Sequence, residues 1–394
     1  MKEADCLLID CFGLLSSIYR YGEIAYIGGG FGIGIHNVLE AAVYGMPVIF
    51  GPNNKRFREA QGLLQCKGGF EIQGAEDFKK IMDNFLNNYE ALDKAGKKAG
   101  NYVRDNAGRH LRGTAFIELA DYVIEGEYRN ATVITASVGG RDPWPGEVKT
   151  GTFRSATLFL GGGRAVVRNL TVQNNAGDGA KAGQALAVYA DASRVLMENV
   201  NLYGNQDTLF TAPLPLQERE QNGFRGPREN TPRLDTKQYY RDCEISGNID
   251  FIFGGANAVF DHCRIVPVAH RGVTSYIAAA STPQGKPGYL FANCTVQGNS
   301  PAGSVYLGRP WRQYARVYWL DCDLSDEIIP LGWDNWSDPS NEETVHFGEY
   351  GSKGPGAPKA SPARAGYAAL NDEASAQEMR AMLAEFRAYF GAEA

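Results

Sequence analysis

Hydrophobic and polar positions follow two different rhythms along this chain, and the change between them falls near Ala131. Before it, short apolar runs at 24–27 and 47–50 predict strands, with a helix between them at 36–44. That βαβ order implies a parallel sheet. Phe78, Ile81, Met82, Phe85, Leu86 and Tyr89 then recur at spacings of three and four, which predicts a helix with one face buried. A further helix is expected at 114–123.

After Ala131 the apolar runs shorten, and Gly, Asn and Asp separate them. Asn169-Leu170-Thr171-Val172, Asn199-Val200-Asn201-Leu202, Asp242-Cys243-Glu244-Ile245, His262-Cys263-Arg264-Ile265, Asn293-Cys294-Thr295-Val296 and Asp321-Cys322-Asp323-Leu324 share one order: polar, apolar, polar, apolar. In a strand the two apolar members point to one side, so stacked copies would bury a ladder of Leu, Val and Cys. The uneven spacing of the copies excludes a strict repeat and suits a β-helix, whose turns vary in length while its strands keep register. Residues 212–236 are too long for a turn and form either a cleft wall or a mobile loop. Met379, Met382, Leu383, Phe386, Tyr389 and Phe390 mark a terminal amphipathic helix, packed along the coil or covering its end.

Composition narrows the partners. With 394 residues, 44% of them hydrophobic, the chain can bury a full core and has the length of two or three domains. A net charge of -6 without a basic cluster argues against nucleic acid. The seven cysteines lack the close pairs of a zinc site or disulfide scaffold, and four share one rung position, as interior hydrophobes would. Met1-Lys2-Glu3-Ala4-Asp5 does not open a secretory leader, and no apolar run is long enough to span a bilayer, so the expected location is cytoplasmic.

The candidate chemistry lies in Gly204-Asn205-Gln206-Asp207-Thr208-Leu209-Phe210, Gly247-Asn248-Ile249-Asp250-Phe251-Ile252-Phe253-Gly254 and Leu307-Gly308-Arg309-Pro310-Trp311. Aspartates on neighbouring coils would stand close together, as in a retaining glycosidase or an ester hydrolase with an Asp nucleophile. Gln206 and Gln184 could direct two NH2 groups at a developing oxyanion. Glycoside cleavage develops none, so ester hydrolysis is favoured. A β-helix pectate lyase would need a calcium-binding acid cluster and a basic proton abstractor, which the sequence does not show. A noncatalytic, inert or carbohydrate-binding solenoid is the alternative of another class.

These strings resemble the pectin methylesterases, carbohydrate esterases built as a right-handed parallel β-helix, from about residue 131 to the terminal helix. The resemblance implies that Asp250 attacks the methyl-ester carbonyl, while Asp207 protonates departing methanol and then activates water. It gives Gln184 and Gln206 to the oxyanion and Arg309 to Asp250. Trp311 and Phe253 would face the sugar rings, with Phe210 and Thr157 as further candidates in the same cleft. The implied substrate is pectin or an oligogalacturonide methyl ester, with neither metal nor organic cofactor. Such esterases are often secreted.

In the first part, Gly28-Gly29-Gly30-Phe31-Gly32-Ile33-Gly34 before a helix is a place where backbone N–H groups can meet a phosphate. Together with Gly45-Met46-Pro47-Val48-Ile49-Phe50-Gly51-Pro52-Asn53 it resembles the nucleotide-sugar half of the 3-deoxy-D-manno-octulosonic acid (Kdo) transferases of bacterial lipopolysaccharide assembly, over about residues 5–125. That implies a partial Rossmann-like α/β domain of the GT-B type, in which Gly30, Asn37 and Glu40 contact CMP-Kdo. The acceptor half of such enzymes has no counterpart, so transfer is not expected. The expected organisation is an α/β segment at 1–127 joined, as an artefactual fusion, to a β-helix at 128–394 that lacks its first coils.

Overall fold

The computed structural model describes residues 19–32, 34–35, 38–55, 57–106, 111–270, 272, 274–358 and 364–391. They fall into two compact units, Met1–Ala107 and Gly108–Ala394.

In the first unit, strands Ala25–Ile27, Val48–Phe50 and Gly69–Glu71 form a parallel sheet in sequential order. The expected strands are recovered to within a residue. The helix expected at 36–44 is confined to Leu39–Ala42, followed by Gly45 in the left-handed region; His36 and Asn37 lie outside the described residues. The next expected helix is two, Ala75–Asn87 and Tyr89–Asn106, so Leu86 and Tyr89 are exposed and Phe85 is buried. The partial Rossmann-like expectation of the GT-B type finds no support. Three parallel strands in sequential order are compatible with one βαβαβ half, but the described residues contain no reversal of strand order and hence no switch-point crevice, and nothing further supports a nucleotide-sugar domain. Gly30 has a packing reason instead: a Cβ there would lie 2.5 Å from the Gly51 nitrogen.

The second unit is a parallel β-helix with three strands to a coil. One coil runs Val188–Ala190, Arg194–Glu198, Asn201–Tyr203; the next runs Leu209–Thr211, Lys237–Arg241, Glu244–Gly247, and each strand pairs in parallel with its counterpart. Ile252–Gly254, Asn257–Asp261 and Arg264–Pro267 form the third. The repeats recognised in the sequence mark one corner of every coil. Their leading polar residues Asn169, Asn199, Asp242, His262, Asn293 and Asp321 all have φ between 53° and 55°. Asn, Asp and His tolerate this left-handed conformation better than most residues, which explains their recurrence. The first polar residue is therefore a corner, and the strand begins two positions later.

Behind each corner the apolar members point inward. Cys243, Cys263, Cys294 and Cys322 are buried free thiols, each donating to backbone carbonyls of its own and the preceding coil. Tyr240, Phe260, Phe291 and Trp319 stack as an aromatic ladder, with centroids 4.7, 4.5 and 4.1 Å apart. The terminal helix Glu373–Gly391 packs along the coil. Met379, Leu383, Phe386 and Phe390 join a cluster with Val166, Leu196, Tyr239, Val259 and Leu290. Arg387 secures it with a two-point bond to buried Asp261, at 2.7 and 2.8 Å.

The helix expected at 114–123 is a strand, Ala115–Glu125, paired in parallel with Leu158–Arg168. Both strands turn the corner between two faces, and Gly162 makes the bend possible: a Cβ there would lie 1.9 Å from the Leu119 carbonyl oxygen. The strand's residues therefore belong with the β-helix, and the units divide at 107/108 rather than at 127/128.

Truncating Phe291, stacked between Phe260 and Trp319, should destabilise the β-helix by roughly 3–5 kcal/mol. Urea unfolding of Phe291→Ala followed by tryptophan fluorescence measures this, and a loss below about 1 kcal/mol would show that the ladder closes over the gap.

Candidate active site

Register brings the candidate residues together. Leu209 lies opposite Ile252 and Phe210 opposite Phe253, so continuing the register back by two residues sets Asp207 beside Asp250. Both aspartates have positive φ, 62° and 50°, at the turns that lead into these strands. Phe253 in turn lies opposite Ala279, and Ala279 opposite Arg309. The small side chain of Ala279 leaves room for Arg309 to reach back over its rung. Its Nε and Nη2 each donate to one Asp250 carboxylate oxygen at 2.7 Å.

A cleft of about 400 Å³ opens over this rung, lined by Gln184, Gln206, Asp207, Asp250, Phe253, Arg309 and Trp311 among others. Seven of the nine residues predicted for this site thus meet on one wall. Phe210 lies beneath it, fully buried, with its ring centroid 5.0 Å from Phe253 and 6.5 Å from Trp311. Thr157 is a correction: it is completely buried and donates its hydroxyl to the Gln173 carbonyl at 3.0 Å, so it supports the coil and does not line the cleft. Of the residues expected to contact CMP-Kdo, Gly30 packs against Gly51, Glu40 adds its charge to the burial that raises the pKa of Tyr19, and Asn37 is outside the described residues.

Sequence reasoning missed part of the wall. Arg219, Glu220, Gly223 and Phe224 come from the 212–236 insertion, which is a cleft wall. Arg312, beside the recognised Leu-Gly-Arg-Pro-Trp string, and Trp336 from a later loop complete it, with Thr152 and Phe153 at the opposite end. A cluster of aromatic residues around an acidic pair was the available signal, but these residues are scattered over four segments.

Both aspartates are 8% exposed as whole residues, and burial pushes both pKa values up. At Asp250 the hydrogen bonds and charge of Arg309 oppose that rise. At Asp207 the Asp250 charge adds to burial, and the rise is large. Of the two carboxyls, Asp207 is thus pushed further towards holding its proton, while Arg309 opposes the same push at Asp250. Among the described residues no group of three or more His, Cys, Asp or Glu is placed to hold a metal ion, and no helix is long and apolar enough to cross a membrane.

Fold and site together define a parallel β-helix protein with a paired-aspartate cleft. A family model described as Pectinesterase matches residues 116–215 and 231–384, and the chain belongs to that family. Pectinesterase 31 of Arabidopsis thaliana is 34% identical over 211 residues, covering 53% of this chain and 58% of its own length. The probable pectinesterase/pectinesterase inhibitor 64 of the same plant is 32% identical over 262 residues, covering 62% of this chain and 39% of its own length. The chain spans about half the length of the curated relatives it matches. The crystal structure of the pectin methylesterase from Aspergillus niger superposes with a TM-score of 0.53 at 26% identity, over 66% of this chain and 78% of that one.

The raised Asp207 pKa sets a sign for stability. The folded protein holds this proton more tightly than the unfolded chain does, so its contribution is fully present below about pH 4 and is lost as pH rises through the folded pKa. Asp207→Asn should therefore melt higher than the parent at pH 7, by roughly 2–4 °C. Calorimetry at pH 4 and pH 7 checks this: the gain should shrink at the lower pH, and a variant that melts lower at pH 7 would contradict the shift.

Proposed function

We propose that this chain hydrolyses the methyl esters of pectin, polygalacturonate methyl ester, releasing methanol. The observation that carries the reading is the two-point Arg309–Asp250 ion pair beside Asp207, whose proton affinity burial and the Asp250 charge push up, in an open cleft. An ionised Asp250 oxygen attacks the ester carbonyl, and the carbonyl oxygen becomes an oxyanion within reach of the Gln184 and Gln206 amides. Collapse breaks the bond to the methoxy group as Asp207 gives it a proton. Methanol leaves, Asp250 is held as a mixed anhydride, and Asp207 is now the carboxylate. It takes a proton from water, whose oxygen attacks the galacturonyl carbonyl and expels Asp250 as a carboxylate. Each site group ends as it began. The negative charge sits on Asp250 at rest, on the substrate oxygen in each tetrahedral intermediate and on Asp207 in the anhydride; the Arg309 charge acts on Asp207 as well as on Asp250.

The lining supports a uronate polymer. Trp311, Phe253 and Phe224 offer apolar faces, and Arg219 and Arg312 place two guanidinium groups on the wall, close enough that Arg219 helps burial hold the Arg312 pKa down at about 10. We assign no transferase activity to the first unit. Its resemblance rests on glycine strings, and Gly30 and Gly51 within them are accounted for by their mutual contact.

Methanol release from methyl-esterified polygalacturonate tests the reading. Asp250→Asn should abolish it, and Gln184→Ala or Gln206→Ala should each lower kcat by about 10²–10³. An Asp250→Asn protein with most of its activity would remove that residue from the nucleophile's role.

A further inference from the structure

Arg309 is gripped on its faces as well as at its edge. The guanidinium carbon lies 3.6 Å from the centroid of the Tyr276 ring and 3.8 Å from that of Trp336. The stack extends in both directions. Tyr276 is stacked on Tyr306, with centroids 5.3 Å apart and planes within 9°, because these residues lie opposite each other in paired strands. Beyond Arg309, the Arg219 guanidinium stands 5.1 Å from the Trp336 ring.

Trp336 reaches this place through a strained backbone. Its φ is 61° and that of Ser337 is 56°, in the left-handed region that bulky side chains avoid. Asp334 holds the turn. Its carboxylate accepts the Trp336 N–H at 2.7 Å, and its own N–H donates to the Gly308 carbonyl at 3.2 Å. The strained loop is thus tied to the residue immediately before Arg309.

We propose that Tyr276 and Trp336 are positioning residues: a two-sided aromatic clamp that fixes the Arg309 fork against Asp250 throughout the reaction. This deepens the esterase reading and rests on it. A flat guanidinium between two ring faces keeps its Nε and Nη2 donors aligned with both carboxylate oxygens, and the rings attract the cation as they shut water out. The clamp matters most in the anhydride. Asp250 then carries no charge, the two-point pair is gone, and the cation must stay in place until Asp250 is released as a carboxylate.

Leucine removes the ring face, and phenylalanine keeps it. Trp336→Leu and Tyr276→Leu should lower kcat by roughly 10–100-fold while KM changes by less than about twofold. In both, the acid limb of kcat/KM should move to higher pH, because a displaced Arg309 opposes burial of Asp250 less. Trp336→Phe and Tyr276→Phe should recover most of kcat and restore the limb. If the Leu variants instead raise KM and leave kcat and the limb unchanged, the rings are a sugar platform and the clamp is wrong.

A readout independent of turnover separates this from the parent reading. Sandwiched between rings, the Arg309 Nε–H proton resonance, identified by its loss in Arg309→Lys, should lie upfield and move downfield in Trp336→Leu. A full-length protein that shows the shift but releases no methanol keeps the clamp and loses the esterase reading. One that releases methanol with an unshifted resonance loses the clamp.

Discussion

A carboxylate and a guanidinium taken out of water depend on each other, and the cleft is organised around that dependence. Burial pushes Asp250 towards its neutral form and Arg309 opposes that push, while Arg309 would be an uncompensated charge without Asp250. Such a pair gives little net stability to the fold. What it supplies is a difference between two neighbouring acids: Arg309 bonds Asp250 at two points, whereas Asp207 has burial and a like charge pushing its proton affinity up. Two identical side chains thereby acquire different proton affinities.

That difference exists only because the coils stack in register. Phe210, Phe253, Ala279 and Arg309 form successive steps of one rung on four different coils, separated in sequence by loops of unequal length. The left-handed corner residues let loop lengths vary elsewhere without moving a strand. The 212–236 insertion exploits this freedom: it contributes Arg219 and Phe224 to the cleft wall while the strands on either side remain paired with their neighbours. Stability resides in the interior ladders and chemistry on the outer surface, so the cleft can hold strained and repelling groups.

The site was legible in the sequence where one short string holds both an acidic side chain of the cleft and its strand. Gly204–Phe210 and Gly247–Gly254 each contain the turn, the acid and the first strand residues, so neighbouring coils bring them together whatever lies between. Tyr276, Trp336, Arg219 and Phe224 were not legible, because each is a lone residue whose place depends on register with a distant coil or on the path of a loop. The misread strand Ala115–Glu125 has its own cause. Ala115 and Ile117 pack inward before the corner and Tyr122 and Ile124 after it, so the alternation slips by one residue at the bend. The outward residues Phe116, Leu119 and Val123 are then spaced by three and four, which imitates a helix. In the first unit the glycine strings were visible, but a glycine required by close backbone contact reads the same in sequence as one required by a ligand.

Everything proposed for this cleft requires Asp207 to hold its proton to higher pH than Asp250 does. Carbon-13 NMR titration of the two side-chain carboxyls, assigned through Asp207→Asn and Asp250→Asn, measures it directly. The Asp250 carboxyl should ionise first as pH rises, with Asp207 following at distinctly higher pH. Ionisation in the reverse order, or at the same pH, would contradict it.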